Sequence, residues 1–162
     1  MHEYWMRFAI EEAEKALEKD EVPIGAIIVR DDEILGKGHN LTETLQDATA
    51  HAEMFAINSA AAGQAGWRLN GATLYSTVEP CPMCCGAILL SRIFNLVYAA
   101  DDARFGGCGS VRNVNVMASN PFGPQIEIIK NVLNKESQVL LRTFFQRLRN
   151  GKKQPQQEAQ LV

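Results

Sequence analysis

Two short clusters carry residue types that can do chemistry together. One is His51-Ala52-Glu53, and the other is Pro80-Cys81-Pro82-Met83-Cys84. Cys81 and Cys84 lie three apart, so on a single helical turn both sulfurs can face one point. Pro82 suits the first position of a helix, where its missing N–H costs nothing. The thiols then sit at a helix N-terminus, where unpaired N–H groups and the positive end of the dipole favour thiolates. Two thiolates and one neutral imidazole, from Cys81, Cys84 and His51, make a three-ligand zinc site of zero net charge, with a fourth position left for water. Glu53 follows His51 by two residues, and in a regular helix such side chains diverge by about 200°. A carboxylate held near the metal but off it is what a proton shuttle requires.

Each residue also has a plainer reading. A Cys-x-x-Cys pair alone is as compatible with a redox couple or with half of a closed structural zinc site. A closed site needs a fourth ligand, and the candidates are Cys85, Cys108 and His39, with His2 remote in sequence. Cys85 follows Cys84 and points about 100° away on a helix, so it reads as core packing. Cys108 reads as a loop residue, and His39, beside Asn40, as a surface or pocket residue. His51 by itself reads as structural. The combination of His51, Glu53 and Pro80-Cys81-x-x-Cys84 selects a catalytic zinc centre, one Zn2+ per chain.

The elements that must position these clusters are legible from periodicity. Trp5, Phe8, Ala9, Ala13, Ala16 and Leu17 recur at helical spacing and predict a helix over about 3–19, ended before Pro23. Residues 24–30 and 33–38 predict a β-hairpin turning at Asp31-Asp32, a weaker turn pair than Asn-Gly. Residues 39–49 read as a loop, and residues 50–62 as a helix stopped by Gly63. Strands are expected at 72–78, 94–100 and 126–129, with a helix from Pro82 to about Ser91. The glycine-rich stretch 106–109 must be a loop. A last helix is expected over about 134–149, with Leu141, Phe144, Phe145 and Leu148 on its apolar side. Strands alternating with helices predict an α/β layered domain over residues 1–150. The polar, basic tail, 151–162, is expected to be disordered.

Composition narrows the class further. The chain has 162 residues, 46% of them hydrophobic and 22% charged, which fits one ordinary globular domain. Neither a disordered chain nor a small disulfide scaffold has that composition. No apolar run approaches the roughly 18 residues of a membrane span, and no signal peptide is visible, so a cytoplasmic location and no membrane partner are expected. The net charge is −3, so any contact with nucleic acid must be local. Charge is segregated along the chain. Glu3, Glu11, Glu12, Glu14, Glu18, Asp20 and Glu21 crowd the first residues, whereas 137–157 holds Arg142, Arg147, Arg149, Lys152 and Lys153 and no acid. That basic end could meet phosphates or could be a solvated helix face.

The spacing His51-Ala52-Glu53 with Pro80-Cys81-x-x-Cys84 is the zinc deaminase signature. Together with Val22-Pro23-Ile24-Gly25-Ala26, Gly38-His39-Asn40, Leu74-Tyr75, Glu79-Pro80 and the ending Leu140-Leu141, Phe144-Phe145 and Arg147, it resembles the bacterial tRNA adenosine deaminases over about residues 3–150. The resemblance implies a cytidine deaminase-like fold, a three-layer α/β/α sandwich around a mixed five-stranded sheet. It implies that His51, Cys81 and Cys84 hold zinc and that Glu53 is the general acid and base. It further implies that Asn40 binds the target nucleoside, that Asp102 lies near the ribose and flanking backbone, with Arg104 beside it, and that Phe144, Phe145 and Arg147 help hold an anticodon loop. The implied reaction is hydrolytic conversion of adenosine to inosine at the tRNA wobble position, on arginine tRNA with anticodon ACG, by a homodimer with no DNA partner. The loop 104–111 is more similar to the catalytic subunit of the eukaryotic heterodimeric tRNA deaminase, so a heterodimer stays open. Ser137 stands where bacterial members often carry cysteine. Two other readings share the motif: a free-base deaminase acting on guanine or cytosine, and a silent deaminase-fold partner subunit. Retention of Glu53 argues against the last. Phe144 and Phe145 are expected first of all to be core residues, with base stacking secondary.

Overall fold

Alternation along the strands separates the apolar residues into two clusters, and that separation makes a layered molecule. In β1 (Gly25–Arg30), Ile27 and Val29 join one cluster while Ala26 and Ile28 join the other. The computed structural model describes the backbone of residues 1–158 and the side chains of residues 1–151. The order after β1 is β2 (Glu33–His39), α2 (Thr42–Leu45), α3 (Ala52–Gly63), β3 (Thr73–Val78), α4 (Pro82–Leu90), β4 (Asn95–Ala100), a 3-10 turn (Val116–Ala118), β5 (Glu127–Lys130) and α5 (Asn134–Glu158), with α1 (His2–Glu18) leading the chain.

The sheet runs β2-β1-β3-β4-β5. β1 pairs antiparallel with β2 and β3, whereas β3, β4 and β5 are parallel. On one face Trp5, Met6 and Ala9 of α1 meet Ile27, Tyr75 and Val97, and α5 lies beside α1. On the other, Ala56, Ile57 and Ala60 of α3 and Cys85, Ile88 and Leu89 of α4 meet Ile28, Leu74 and Leu96. This is the expected three-layer sandwich around a mixed five-stranded sheet.

The β1–β2 turn is as expected, and its cost is visible. Asp31 and Asp32 both take positive φ, 51° and 58°, the left-handed pair that a tight hairpin needs and that Asp tolerates. Four details differ from the sequence reading. The loop at 39–49 holds a one-turn helix, α2, which is too short to show a period. Gly63 is the last residue of α3 and not its stop; Gln64 is the C-cap. The last helix continues past Arg149 to Glu158, so the tail expected to be disordered falls partly on helix and partly on residues 159–162, outside the described residues. Phe144 and Phe145 are not core: Phe144 is half-buried and Phe145 is 38% exposed. The helix is poorly covered from its first turns: among the described residues of α5 only Ser137 is buried, and Val139 is already 51% exposed.

Two glycines set how closely α3 lies on β2. A Cβ at Gly36 would overlap the Ala56 carbonyl, and one at Gly38 would overlap the Ala52 carbonyl and stand 2.6 Å from the Phe55 Cβ. Gly38 faces the first turn of α3, just past His51. Gly38→Ala is expected to destabilise the protein by about 1–3 kcal/mol through overpacking. A denaturation midpoint within error of the parent would contradict this close approach.

Candidate active site

The site forms where two helices begin. His51 is the N-cap of α3 and Cys81 the N-cap of α4, both with extended backbone (ψ 151° and 169°). Pro82 starts α4, and the Cys85 N–H donates to the Cys81 carbonyl at 2.9 Å. Both caps lie at the carboxyl end of β3, where open α/β sheets place their ligands. His51 Nδ1 is 3.5 Å from each of the Cys81 and Cys84 Sγ atoms. The three donor atoms lie within 4.8 Å of one another.

Protonation reflects this crowding. A hydrogen bond with Cys84 holds the Cys81 thiol down to about 4, helped by His51 and opposed by burial. The same contact pushes Cys84 up, with burial adding to it. The bond to Cys81 raises His51. Such a cluster shares protons that a divalent cation displaces on binding. The geometry fits zinc: nitrogen and sulfur ligands at tetrahedral angles stand about 3.6 Å apart.

Glu53 is buried beside the cluster, with Oε2 3.4 Å from Cys84 Sγ and Oε1 3.2 Å from the Ser76 hydroxyl. Burial raises its carboxyl above the usual range. The expected divergence of His51 and Glu53 does not apply, because His51 precedes the helical backbone. Its extended conformation brings both side chains to one place.

A cavity of about 490 Å³ opens over the cluster, within the range of small-ligand pockets. Asn40 and Asp102 line it with His51, Glu53 and Cys81, and so does Phe105, 62% exposed at the rim. Arg104 is exposed, with its guanidinium over the Phe105 ring at 5.3 Å. Phe144 and Arg147 lie elsewhere, in a smaller hollow of about 240 Å³ with Leu17 and Asp20. Phe145 stands edge-on to Phe144 at 5.2 Å. Cys85 is fully buried, as expected, and its sulfur is 3.6 Å from that of Cys108.

The sequence reading missed Ser76, Glu21 and Glu79. Ser76 lies in an apolar strand run, and nothing local distinguishes its hydroxyl. Glu21 accepts the Glu43 N–H at 2.9 Å and the Thr44 N–H at 3.2 Å, fixing α2 beside Asn40. Glu79 entered the sequence reading only as part of the Glu79-Pro80 motif, with no role of its own.

The His51, Cys81 and Cys84 donors at two helix starts, with the buried Glu53 carboxylate beside an open cavity, make the arrangement of a deaminase site, and the cluster is compatible with zinc. The MafB19-like deaminase family model matches residues 1–149. The tRNA-specific adenosine deaminase of Bacillus subtilis is 48% identical over 93% of this chain and 92% of its own length. A structure from a study of A-to-I editing by tRNA:A34 deaminases at the wobble position of transfer RNA superposes with a TM-score of 0.79 at 38% identity, covering 85% of this chain and 99% of that one. The guanine deaminase of Bacillus subtilis superposes with a TM-score of 0.60 at 36% identity, over 65% of this chain and 71% of its own. The chain belongs to the MafB19-like deaminases and, within them, to the tRNA-specific adenosine deaminase family.

Purified protein is expected to hold one zinc per chain. Cys81→Ser and Cys84→Ser should each lose most of it, whereas Cys85→Ser should keep it. Metal analysis of the variants decides this, and full occupancy in Cys81→Ser would remove that residue from the ligand set.

Proposed function

We propose that this protein converts adenosine to inosine at the wobble position of a tRNA anticodon, and that its substrate is arginine tRNA with anticodon ACG. The observation that carries the reading is the buried Glu53 carboxylate beside the His51, Cys81 and Cys84 donors at the floor of a nucleoside-sized cavity. Membership among the tRNA-specific adenosine deaminases supports the choice of substrate.

His51, Cys81 and Cys84 would hold the zinc. When bound there, zinc supplies activation of water near neutral pH. Glu53 takes one proton from the attacking water and passes it to adenine N1, then takes the remaining proton from the hydroxyl at C6 and gives it to the departing amine. Oxygen is gained at C6 and ammonia leaves. The nearness of Oε2 to Cys84 Sγ, with Oε1 at the Ser76 hydroxyl, supports assigning this transfer to Oε2. A carboxyl raised by burial is suited to both giving and taking a proton near neutral pH. Asn40 and Asp102 line the cavity and bind the nucleoside and its flanking backbone, with Arg104 beside them. The target base must leave the loop stack to enter, at a cost of a few kcal/mol.

The RNA would continue onto α5, where Phe145, Arg142, Arg147 and Arg149 are exposed. The protein acts as a homodimer in the cytoplasm. The apolar helices α3 and α4 support a second copy: Leu90 is 57% exposed, and Met54, Phe55 and Met83 are half-buried. Among the described residues no helix is long and apolar enough to cross a membrane.

The test is inosine formation on arginine tRNA with anticodon ACG, on the same tRNA with GCG, and on free guanine and cytosine. Inosine only at the ACG wobble position is expected. Turnover of a free base without tRNA activity would replace this reading with the free-base deaminase alternative, acting on guanine or cytosine. Glu53→Ala should keep zinc and fold while losing about a hundredfold to ten-thousandfold in kcat. Full turnover in that variant would refute the proton-transfer role.

A further inference from the structure

Glu79 joins β3 to the first ligating cysteine, and it is only 2% exposed. Among the described residues no cationic side chain pairs with it. Backbone takes that place. The Asp102 N–H donates to Oε2 at 3.0 Å and the Ser110 N–H to Oε1 at 3.3 Å. Those donors stand at the two ends of the loop 102–110, so one carboxylate closes the loop into a ring.

The rest of the loop is shaped to this contact. A Cβ at Gly106 would overlap Glu79 Oε2 and the Asp102 carbonyl. Only glycine lets the chain pass over the carboxylate here. Gly107 is pressed against the start of α4: its N–H donates to the Pro80 carbonyl at 2.7 Å, and a Cβ there would stand 2.8 Å from Cys85 Sγ. Asp102 Oδ1 accepts the Arg104 and Phe105 N–H groups at 2.9 and 3.1 Å, which sets the turn at the rim. Asp102 and Phe105 are the loop's contribution to the cavity wall. A buried carboxylate without a cation is stable only while its hydrogen bonds are made, so it holds the loop in one shape.

We propose that Glu79 is a positioning residue for the RNA: by holding the 102–110 loop through the Asp102 and Ser110 N–H groups, it fixes the wall that grips the extruded nucleotide, and so sets substrate affinity and not the chemical step. This rests on the functional reading above. Both Glu79 oxygens are occupied by the loop, so the residue acts through Asp102 and Phe105.

The experiment uses the full chain loaded with zinc and an anticodon stem-loop RNA carrying adenosine at the first anticodon position. Glu79→Gln keeps the size and one accepting oxygen but turns an NH2 toward the other N–H. Glu79→Ala removes both contacts and is included for comparison. In Glu79→Gln, KM is expected to rise about tenfold while kcat stays within about twofold. Zinc should remain at one per chain, and amide hydrogen exchange should quicken in 102–110 but not in α3 or α4. Wild-type KM and wild-type exchange in Glu79→Gln overturn the inference. So does a fall in kcat at constant KM, which would make Glu79 part of the chemical step. Loss of zinc from Glu79→Gln also overturns it, by making the residue a support of the metal site. A wild-type protein that makes no inosine from this RNA overturns the functional reading and this inference together, and that result is read before any variant is compared.

Discussion

The structure depends on two helix N-termini meeting at the end of one strand. His51 and Cys81 are both N-caps, with extended backbone, and neither uses its side chain to satisfy its own helix. A capping Ser or Asp at either position would contribute about 1 kcal/mol by accepting an orphan N–H. The chain forgoes that and points both donors at one spot. The dipole ends of α3 and α4 also raise the positive potential there, which favours thiolate and carboxylate. The approach of α3 is then fixed from behind, because Gly36 and Gly38 let β2 lie against its backbone. The approach of α4 is fixed by Gly107, which lies on its first residues.

Around this point the molecule buries acids, and each is handled differently. Glu53 has one hydroxyl and one thiol for company, so burial dominates and its proton is held more tightly. Glu21 and Glu79 are given backbone N–H groups instead. A hydrogen bond to a charged group contributes about 1.5–3 kcal/mol, so two such bonds can offset much of the cost of burial. The difference lies in the kind of partner: Glu53 meets a side-chain hydroxyl and a thiol, whereas the acids that hold loops meet backbone N–H groups. Glu21 fixes α2 beside Asn40, and Glu79 fixes the wall carrying Asp102, so the cavity is braced from both sides.

How legible this was in the sequence follows from range. His51, Glu53, Cys81 and Cys84 announce themselves because side-chain chemistry and spacing within one helical turn are local properties. The sheet was legible because β-branched runs alternate with helical periods. The bracing was not, because Glu21 meets residues some twenty positions away and Glu79 meets Ser110 thirty-one away, through N–H groups every residue has. The glycines at 106 and 107 marked a loop, but what the loop encloses is set by tertiary contact. The short helix α2 carries no period at all. The sequence reading also placed Phe144 and Phe145 in the core because helical spacing reports an apolar face, not whether another layer covers it.

That last point bears on how an acidic protein meets an anion. The acids concentrate on α1, where Lys15 and the His39 ring both bond to Glu12. On α5, Arg142, Arg147 and Arg149 are exposed, and so are Phe145 and Leu148. The partly covered helix presents rings and guanidinium groups together, the pairing that unstacked bases and phosphates both need. A local face of guanidinium groups and rings and a negative net charge are thus compatible, because the acids crowd α1 while the arginines sit on a separate helix.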